Sequence, residues 1–258
     1  MYDDNLNTGA TMSGISKRSL IAFLILALSL GTSCTSVQAV EWPPAAASQS
    51  EADLSKIEFQ QISLNKAEAS TREASVKVYT ELGGHGSGTY FLFEGYHVVF
   101  TAAHVAVNGN TFLVADKYGN NRIGTLAYRD RGADFAIILI PAFRTIRPIN
   151  FKTPNYKPTK EIGKELIFSG YPGSQSLRTV RALIAGVEGR RLVMQSTAWK
   201  GSSGSCVFDS DGNFVGIVFA LSMAQFRGKP VLLESMIWVD PYTSINWVAA
   251  KRFIRSLN

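Results

Sequence analysis

The stretch Thr89-Tyr-Phe-Leu-Phe-Glu-Gly-Tyr-His-Val-Val-Phe-Thr101 decides the fold of this chain. Two short runs of aromatic and β-branched residues flank Glu94-Gly95, a pattern that is typical of two antiparallel strands joined by a tight turn. Similar runs recur at short intervals through the 258 residues, and 22 glycines are available for the turns between them. The sequence therefore favours β structure over a helical bundle.

The predicted strands fall into two sets, separated by a proline-rich connector. The first set covers 76–81, 89–93, 96–101, 111–116, 122–128 and 135–140. The second set covers 165–170, 178–188, 191–196, 205–209, 214–220 and 236–240. Apolar residues at helical spacing near the C-terminus predict an amphipathic helix. The sequence thus predicts an all-β fold of two packed six-stranded antiparallel β-barrels with a C-terminal α-helix.

The N-terminal residues have the form of an export signal. Lys17-Arg18 precede an apolar run at 20–30, which is short for a transmembrane helix that needs about 20 residues. Val37-Gln-Ala39 offers a cleavage site, so 1–39 is predicted to be a signal peptide and the protein to be periplasmic or secreted.

Other interpretations of this segment remain open. Gly31-Thr-Ser-Cys34 is a candidate lipoprotein site with an acylated Cys34, and 19–34 is a candidate uncleaved anchor. Contact with a membrane is expected only through this segment, if it stays uncleaved or lipidated. Met12 is a second candidate start.

The rest of the chain divides into three parts. Residues 40–72 are rich in Ala, Ser and Glu and predict a spacer or pro-segment, with one helix near 51–70. A folded domain is expected at 73–241, with barrels at about 74–142 and about 160–240, and the terminal helix at 242–258.

Composition argues against several classes of function. The formal charge is +6, but Lys and Arg are dispersed, and the densest group is Glu188-Gly-Arg-Arg191. This distribution indicates an ordinary solvated surface and no nucleic-acid partner. Three histidines and one cysteine outside the leader, Cys206, are too few for a metal cluster, so neither a metal nor another cofactor is expected.

Residues 201–206 read Gly-Ser-Ser-Gly-Ser-Cys and contain three candidate serine nucleophiles. Gly201 and Gly204 flank Ser203 and would relieve a sharp turn there. The N–H groups of Gly201 and Ser203 could then converge on one point and bind an oxyanion. Ser203 is therefore the favoured nucleophile, although a plain Ser/Gly turn is the alternative.

Three histidines compete for the role of base. His85 lies in a glycine-rich stretch that predicts a flexible loop, and His97 lies inside a strand, where a structural role is expected. His104 follows a strand that ends in Thr-Ala-Ala, where small residues allow a tight turn toward a neighbouring barrel.

Two aspartates compete for the role of its partner. Asp134 adjoins the apolar run 135–140, which would carry its carboxylate inside, where it needs a donor such as a histidine N–H. Asp130 lies between two arginines and is expected to be solvated.

These segments together resemble the trypsin-like serine proteases with a double β-barrel, and among them the disulfide-free bacterial HtrA-type and glutamyl-endopeptidase-type enzymes. The matching motifs, in the family's order, are Gly86-Ser-Gly88, Thr101-Ala-Ala-His104, Ala133-Asp-Phe-Ala-Ile137, Ser169-Gly-Tyr-Pro172, Gly201-Ser-Ser-Gly-Ser205 and Val215-Gly-Ile217. The resemblance implies a serine endopeptidase acting on proteins or peptides, without a PDZ domain. It implies the base His104, its orienter Asp134, the nucleophile Ser203 and an oxyanion hole of the Gly201 and Ser203 amides.

The chain departs from this family at two positions. Ser202 stands where digestive proteases have an aspartate that pairs with a freed N-terminus, so no activation by N-terminal insertion is expected. Cys206 replaces a proline and is expected to be structural.

The family's pocket wall corresponds to Thr197, Ala198, Trp199, Lys200, Phe219, Ala220 and Leu221. Because Thr197 replaces an aspartate at the pocket base, cleavage after Arg or Lys is disfavoured. No histidine lies near Phe219, so cleavage after Glu is disfavoured too. Bulky Leu221 narrows the opening, and a small or medium apolar residue before the cut is expected.

Two other functions remain in competition. One is a catalytically idle binding module of the same fold at an envelope or virion surface. The other is an α/β hydrolase, which would need a Gly-x-Ser-x-Gly turn and a histidine after the serine. The intact set of His104, Asp134 and Ser203, in that order, argues against both.

Overall fold

The computed structural model describes residues 63–80 and 83–257. The predicted signal peptide at 1–39, the alternative start Met12, Cys34 and most of the spacer at 40–72 lie outside the described residues. Within the described part, no helix is long and apolar enough to span a membrane.

Six antiparallel strands close the N-terminal barrel. They are β1 (Ser75–Tyr79), β2 (His85–Phe93), β3 (Tyr96–Ala102), β4 (Thr111–Ala115), β5 (Asn121–Asp130) and β6 (Phe135–Leu139). Their order is β1-β4-β5-β6-β3-β2, and β2 pairs back onto β1. A short strand, β7 (Ile149–Asn150), adds to β2 in parallel.

The predicted hairpin is confirmed in register as well as in position. Phe93 pairs with Tyr96, so that Glu94 and Gly95 form a two-residue turn. Both turn residues have positive φ, 52° and 86°, and turns of this kind match the twist of the flanking strands.

Six further strands close the C-terminal barrel. They are β8 (Glu165–Gly170), β9 (Arg178–Glu188), β10 (Arg191–Gln195), β11 (Cys206–Phe208), β12 (Phe214–Phe226) and β13 (Lys229–Pro241). Their order is β10-β13-β12-β11-β8-β9, with β9 and β10 paired. The last two strands are longer than predicted, because their pairing continues past the barrel to Phe226 and Lys229. The predicted all-β fold of two six-stranded barrels is confirmed.

Two α-helices flank the barrels. Helix α1 (Lys66–Ala74) starts at Asn65, whose side chain accepts from the Glu68 N–H while the Glu68 carboxylate accepts from the Asn65 N–H. Helix α1 overlaps the end of the helix expected near 51–70 and extends to Ala74, whereas 51–62 lie outside the described residues. Helix α2 (Trp247–Arg255) starts at Asn246 and is the predicted C-terminal helix.

An aromatic cluster joins α2 to both barrels. The Phe100 ring lies 4.4 Å from Phe91 and 5.0 Å from Phe135 in the N-terminal barrel, and 5.8 Å from Phe214 in the C-terminal barrel. Trp247 of α2 lies 5.3 Å from Phe135 and 6.1 Å from Phe214. These rings bury a large apolar area at the junction of the barrels.

The carboxylate of Glu68 links α1 to the C-terminal barrel. It is buried, and it accepts hydrogen bonds from Arg181 on β9, one of them 3.1 Å from Nη2 to Oε2. The guanidinium of Arg181 holds the pKa of Glu68 below its ordinary value. The contact therefore stabilises the fold above that ordinary pKa, and this contribution is lost as the pH falls through the lower, folded-state value.

We expect Glu68→Gln to lower the urea midpoint at pH 7 and to have a diminishing effect as the pH falls below ~4, where the native carboxyl is protonated as well. The matched control is Glu165→Gln, because the half-exposed Glu165 carboxylate lies 4.0 Å from the same Arg181 Nε. Equal midpoints for the two variants at pH 7 would contradict the role of Glu68.

Candidate active site

The turn that carries Ser203 lies between β10 and β11 and needs its two glycines. Gly201 and Gly204 have φ values of 98° and 87°, in the left-handed region that side chains disfavour. A Cβ on Gly204 would lie 2.2 Å from the Ser87 carbonyl oxygen and 2.3 Å from Thr101 Oγ1. The backbone of the N-terminal barrel therefore approaches the turn too closely for any other residue.

The three serines of the turn differ in accessibility. Ser202 is buried, and its Oγ lies 3.3 Å from the Trp199 N–H inside the turn. Ser205 is fully buried. Ser203 is half-buried, which makes it the most exposed of the three, and it lies beside an open cavity. Ser203 is therefore the serine of this turn that a substrate can reach.

His104 and Asp134 meet at one end of the N-terminal barrel. The pairing of β3 with β6 places Ala102 opposite Phe135, so the residues just beyond these strands are neighbours. His104 Nδ1 lies 2.7 Å from Asp134 Oδ2, and the His104 backbone N–H donates to Oδ1 at 2.9 Å. Because a carboxylate only accepts, the shared hydrogen belongs to Nδ1, which leaves Nε2 free to take a proton.

The exposures of this pair differ in the way that a base and its orienter require. The side chain of Asp134 is 9% exposed and that of His104 is 45% exposed. The competing Asp130 instead accepts from the N–H groups of Ala133 and Asn246 at 3.1 and 3.2 Å. Asp130 thus anchors its own turn and α2, while Asp134 holds the histidine.

The peptide between Lys200 and Gly201 has a fixed orientation. The Lys200 carbonyl accepts from the Gly173 N–H at 2.6 Å, and a planar trans peptide then directs the Gly201 N–H the opposite way. Among the described residues, no backbone acceptor binds the N–H of Gly201 or of Ser203. Both amides are thus available to a developing oxyanion.

The two remaining histidines lie outside this pair. His85 was expected in a flexible loop, and that expectation was wrong: it begins β2, and its Nε2 lies 3.1 Å from the Tyr171 carbonyl oxygen. Pairing of β2 with β1 orders this stretch in spite of its glycines. His97 Nδ1 lies 2.6 Å from the Tyr90 hydroxyl, in the structural position that its strand predicted.

The cavity beside Ser203 has a volume of about 310 Å³. Its lining residues are Trp199, Lys200, Ser202, Ser203, Val218, Phe219, Ala220 and Leu221. Thr197 and Ala198, also expected in the wall, do not line it. Thr197 is exposed, and Ala198 packs in the core of the C-terminal barrel. The sequence analysis did not include Val218 in the pocket wall, although it directly follows the Val215-Gly-Ile217 motif.

A larger groove beside α1, of about 840 Å³, contains none of the predicted site residues.

Cys206 follows the turn but is unsuited to nucleophilic attack. Its thiol is fully buried, lies 3.9 Å from the Phe100 carbonyl oxygen, and has a pKa raised by burial.

Among the described residues, no group of three or more His, Cys, Asp or Glu side chains is placed to hold a metal ion.

We expect Gly204→Ala to destabilise the protein by about 3 kcal/mol or more, because backbone must move in addition to the strain of positive φ. The control is Gly212→Ala, where φ is 75° but nothing lies within 4 Å of the new Cβ, so only a strain of about 1–2 kcal/mol is expected. Urea unfolding of both variants measures the difference. If both variants lose the same free energy of unfolding, the two barrels do not constrain the turn.

Comparison with solved structures finds the same fold in bacterial proteases. The Rv3671c protease from M. tuberculosis in its active form has a TM-score of 0.59 at 19% identity, over 72% of this chain and 84% of that one. The serine endoprotease from Yersinia pestis has a TM-score of 0.58 at 23% identity, and the match covers 73% of this chain and 65% of that one. The HtrA-type protease AlgW, solved with a tripeptide, has a TM-score of 0.59 at 16% identity, and the match covers 74% of this chain and 63% of that one.

A search of curated proteins finds no match to the sequence. The family model described as a trypsin-like peptidase domain matches residues 86–217, which include the histidine, the aspartate and the serine turn. The chain therefore belongs to the trypsin-like peptidases, and the predicted class of enzyme, a serine endopeptidase, is confirmed.

Proposed function

We propose that this protein is an exported endopeptidase that cleaves proteins or peptides through an acyl-enzyme on Ser203. The observation that carries the proposal is the two-point contact of His104 with Asp134, through the ring Nδ1 and through the backbone N–H. Two contacts fix both the position and the tautomer of the imidazole, as general-base catalysis needs. Membership in a peptidase family supports the reaction type.

In the proposed reaction, Ser203 Oγ attacks the substrate carbonyl carbon while His104 Nε2 takes the hydroxyl proton. Buried Asp134 stabilises the imidazolium that forms. The amides of Gly201 and Ser203 donate to the oxyanion, an interaction typically worth ~3–4 kcal/mol per donor. His104 then returns its proton to the leaving amine, and a water molecule hydrolyses the ester by the same path.

The cavity beside Ser203 supports a preference for a small or medium apolar residue before the cut. The rings of Trp199 and Phe219 and the side chains of Val218 and Leu221 provide apolar walls. No carboxylate is among the lining residues, so nothing there would pair with a substrate Arg or Lys. Lys200 is the one charged residue in the lining of this described cavity.

The proposal of export relies on the leader sequence alone. Lys17-Arg18 and the apolar run at 20–30 support a signal, with cleavage after Ala39, acylation of Cys34 or retention as an anchor as the three outcomes. The intact mass of the purified chain distinguishes them, because each outcome leaves a different N-terminus.

The alternative of an idle binding module is not favoured. Such a module needs only one defect in the catalytic residues, and here His104 is paired, Asp134 is buried and Ser203 is accessible.

We expect a fluorophosphonate probe to label the wild-type protein and to leave Ser203→Ala unlabelled. His104→Ala and Asp134→Asn should slow labelling by about 10³–10⁴-fold, because the first removes the base and the second its orienter. Ser210→Ala, which changes an exposed turn serine, is the control and should label like the wild type. Labelling that persists in Ser203→Ala would overturn the assignment, and an unlabelled wild type would favour the binding module.

We expect a peptide library to be cut mainly after Ala, Val and other small or medium apolar residues. Leu221→Ala should raise kcat/KM for peptides with Phe before the cut by about 10-fold, since it enlarges the cavity. Leu183→Ala, on the exposed face of β9, is the matched control and should leave the profile unchanged. A profile dominated by Lys, Arg or Glu would contradict the proposed specificity.

A further inference from the structure

Arg191 and Asp240 form an ion pair that the proposed mechanism does not use. Asp240 lies on β13 and is 1% exposed, and Arg191 opens β10. Arg191 Nε donates to Asp240 Oδ1 at 3.0 Å. Neither residue lines the substrate cavity.

The guanidinium of Arg191 also stacks on the wall of that cavity. Its central carbon lies 4.1 Å from the centre of the Phe219 ring, a close cation–π geometry. The same ring lines the cavity together with Ser203, and its centre lies 6.1 Å from that of the His104 ring at an interplanar angle of 86°. Phe219 is thus a shared neighbour of the cation, the base and the substrate space.

The buried position of the Asp240 carboxylate is energetically unfavourable. Its second carboxylate oxygen, Oδ2, is buried and has no hydrogen-bond partner among the described residues. Burial raises the pKa of Asp240, the nearby charge of Asp134 raises it further, and Arg191 and Arg190 act in the opposite direction. Of the two arginines beside this buried carboxylate, Arg191 is the one within hydrogen-bond distance, at 3.0 Å, so this contact holds Arg191 in place.

We infer that Arg191 is a positioning residue that, held by Asp240, fixes Phe219 as the wall between the substrate cavity and His104. This inference relies on the proposed function of Ser203 and His104. The Arg191 guanidinium covers one face of the Phe219 ring and prevents the ring from rotating, so the volume of the cavity stays the same. Without that support, Phe219 can rotate, larger residues can enter, and small substrates lose contact with the wall.

Arg190 offers a matched comparison within the same turn. Its Nε lies 4.0 Å from the same Asp240 oxygen, its side chain is 54% exposed, and no aromatic ring within the described residues contacts its guanidinium. Arg190→Met and Arg191→Met remove the same charge from adjacent positions. Only the second removes the stacking on Phe219.

The experiment measures kcat and KM for two peptides that differ only in Val or Phe before the cut. We expect Arg191→Met to reduce the Val-to-Phe ratio of kcat/KM by about 10-fold, mainly through a higher KM for the Val peptide. Arg190→Met should keep the ratio within about 2-fold of the wild type.

Arg191→Lys tests the inference in case Arg191→Met does not fold. It keeps a cation for buried Asp240 but lacks the planar group that covers the ring, so it should fold normally and still lose about 3-fold in the ratio. A wild-type ratio in active Arg191→Lys and Arg191→Met would overturn the inference alone. A wild type that neither reacts with a fluorophosphonate nor cuts any peptide would overturn the proposed function, and the inference with it.

Discussion

Ser87 connects the two barrels through three hydrogen bonds, two of them to the turn that carries Ser203 and one to Tyr171, and the candidate site depends on this attachment. Its backbone N–H donates to the Ser203 carbonyl at 2.8 Å, and its hydroxyl donates to the Gly201 carbonyl at 2.7 Å. The same hydroxyl accepts from the Tyr171 N–H at 2.9 Å. A strand of one barrel thus fixes the turn of the other, while the aromatic cluster beneath supplies the apolar burial that keeps the two barrels together. Positioning of this kind is needed because a catalytic group displaced by about 1 Å loses much of its effect.

The residues of the candidate site were predictable, because each lies where a strong local pattern ends. His104 and Asp134 both adjoin apolar strands, and strand pairing alone brings them together. Ser203 was distinguishable from the other two serines by the glycines of its turn. The close approach of Ser87 explains Gly204, and that of the Tyr171 carbonyl explains Gly201. The hairpin at 89–101 was predictable for a similar reason, since its turn residues and its strand residues indicate the same structure.

What the sequence did not predict depends on contacts between distant segments. The order at His85 comes from pairing with β1, and the extension of β12 and β13 comes from their pairing with each other. The positions of Thr197 and Ala198 follow from where the chain leaves the barrel, which residue types do not specify. Arg191 resembled an ordinary surface arginine beside Arg190, and only its contacts with Asp240 and Phe219 distinguish the two.

The burial of Cys206 determines how the protein responds to its chemical surroundings. A thiol inside the core shared by both barrels is screened from oxidants, and its raised pKa leaves almost no thiolate to react with them. It is also the one free cysteine of the described residues. Within the described part of the chain, the folded domain therefore offers no accessible thiol for disulfide formation, and passage from a reducing to an oxidising compartment would create no disulfide there.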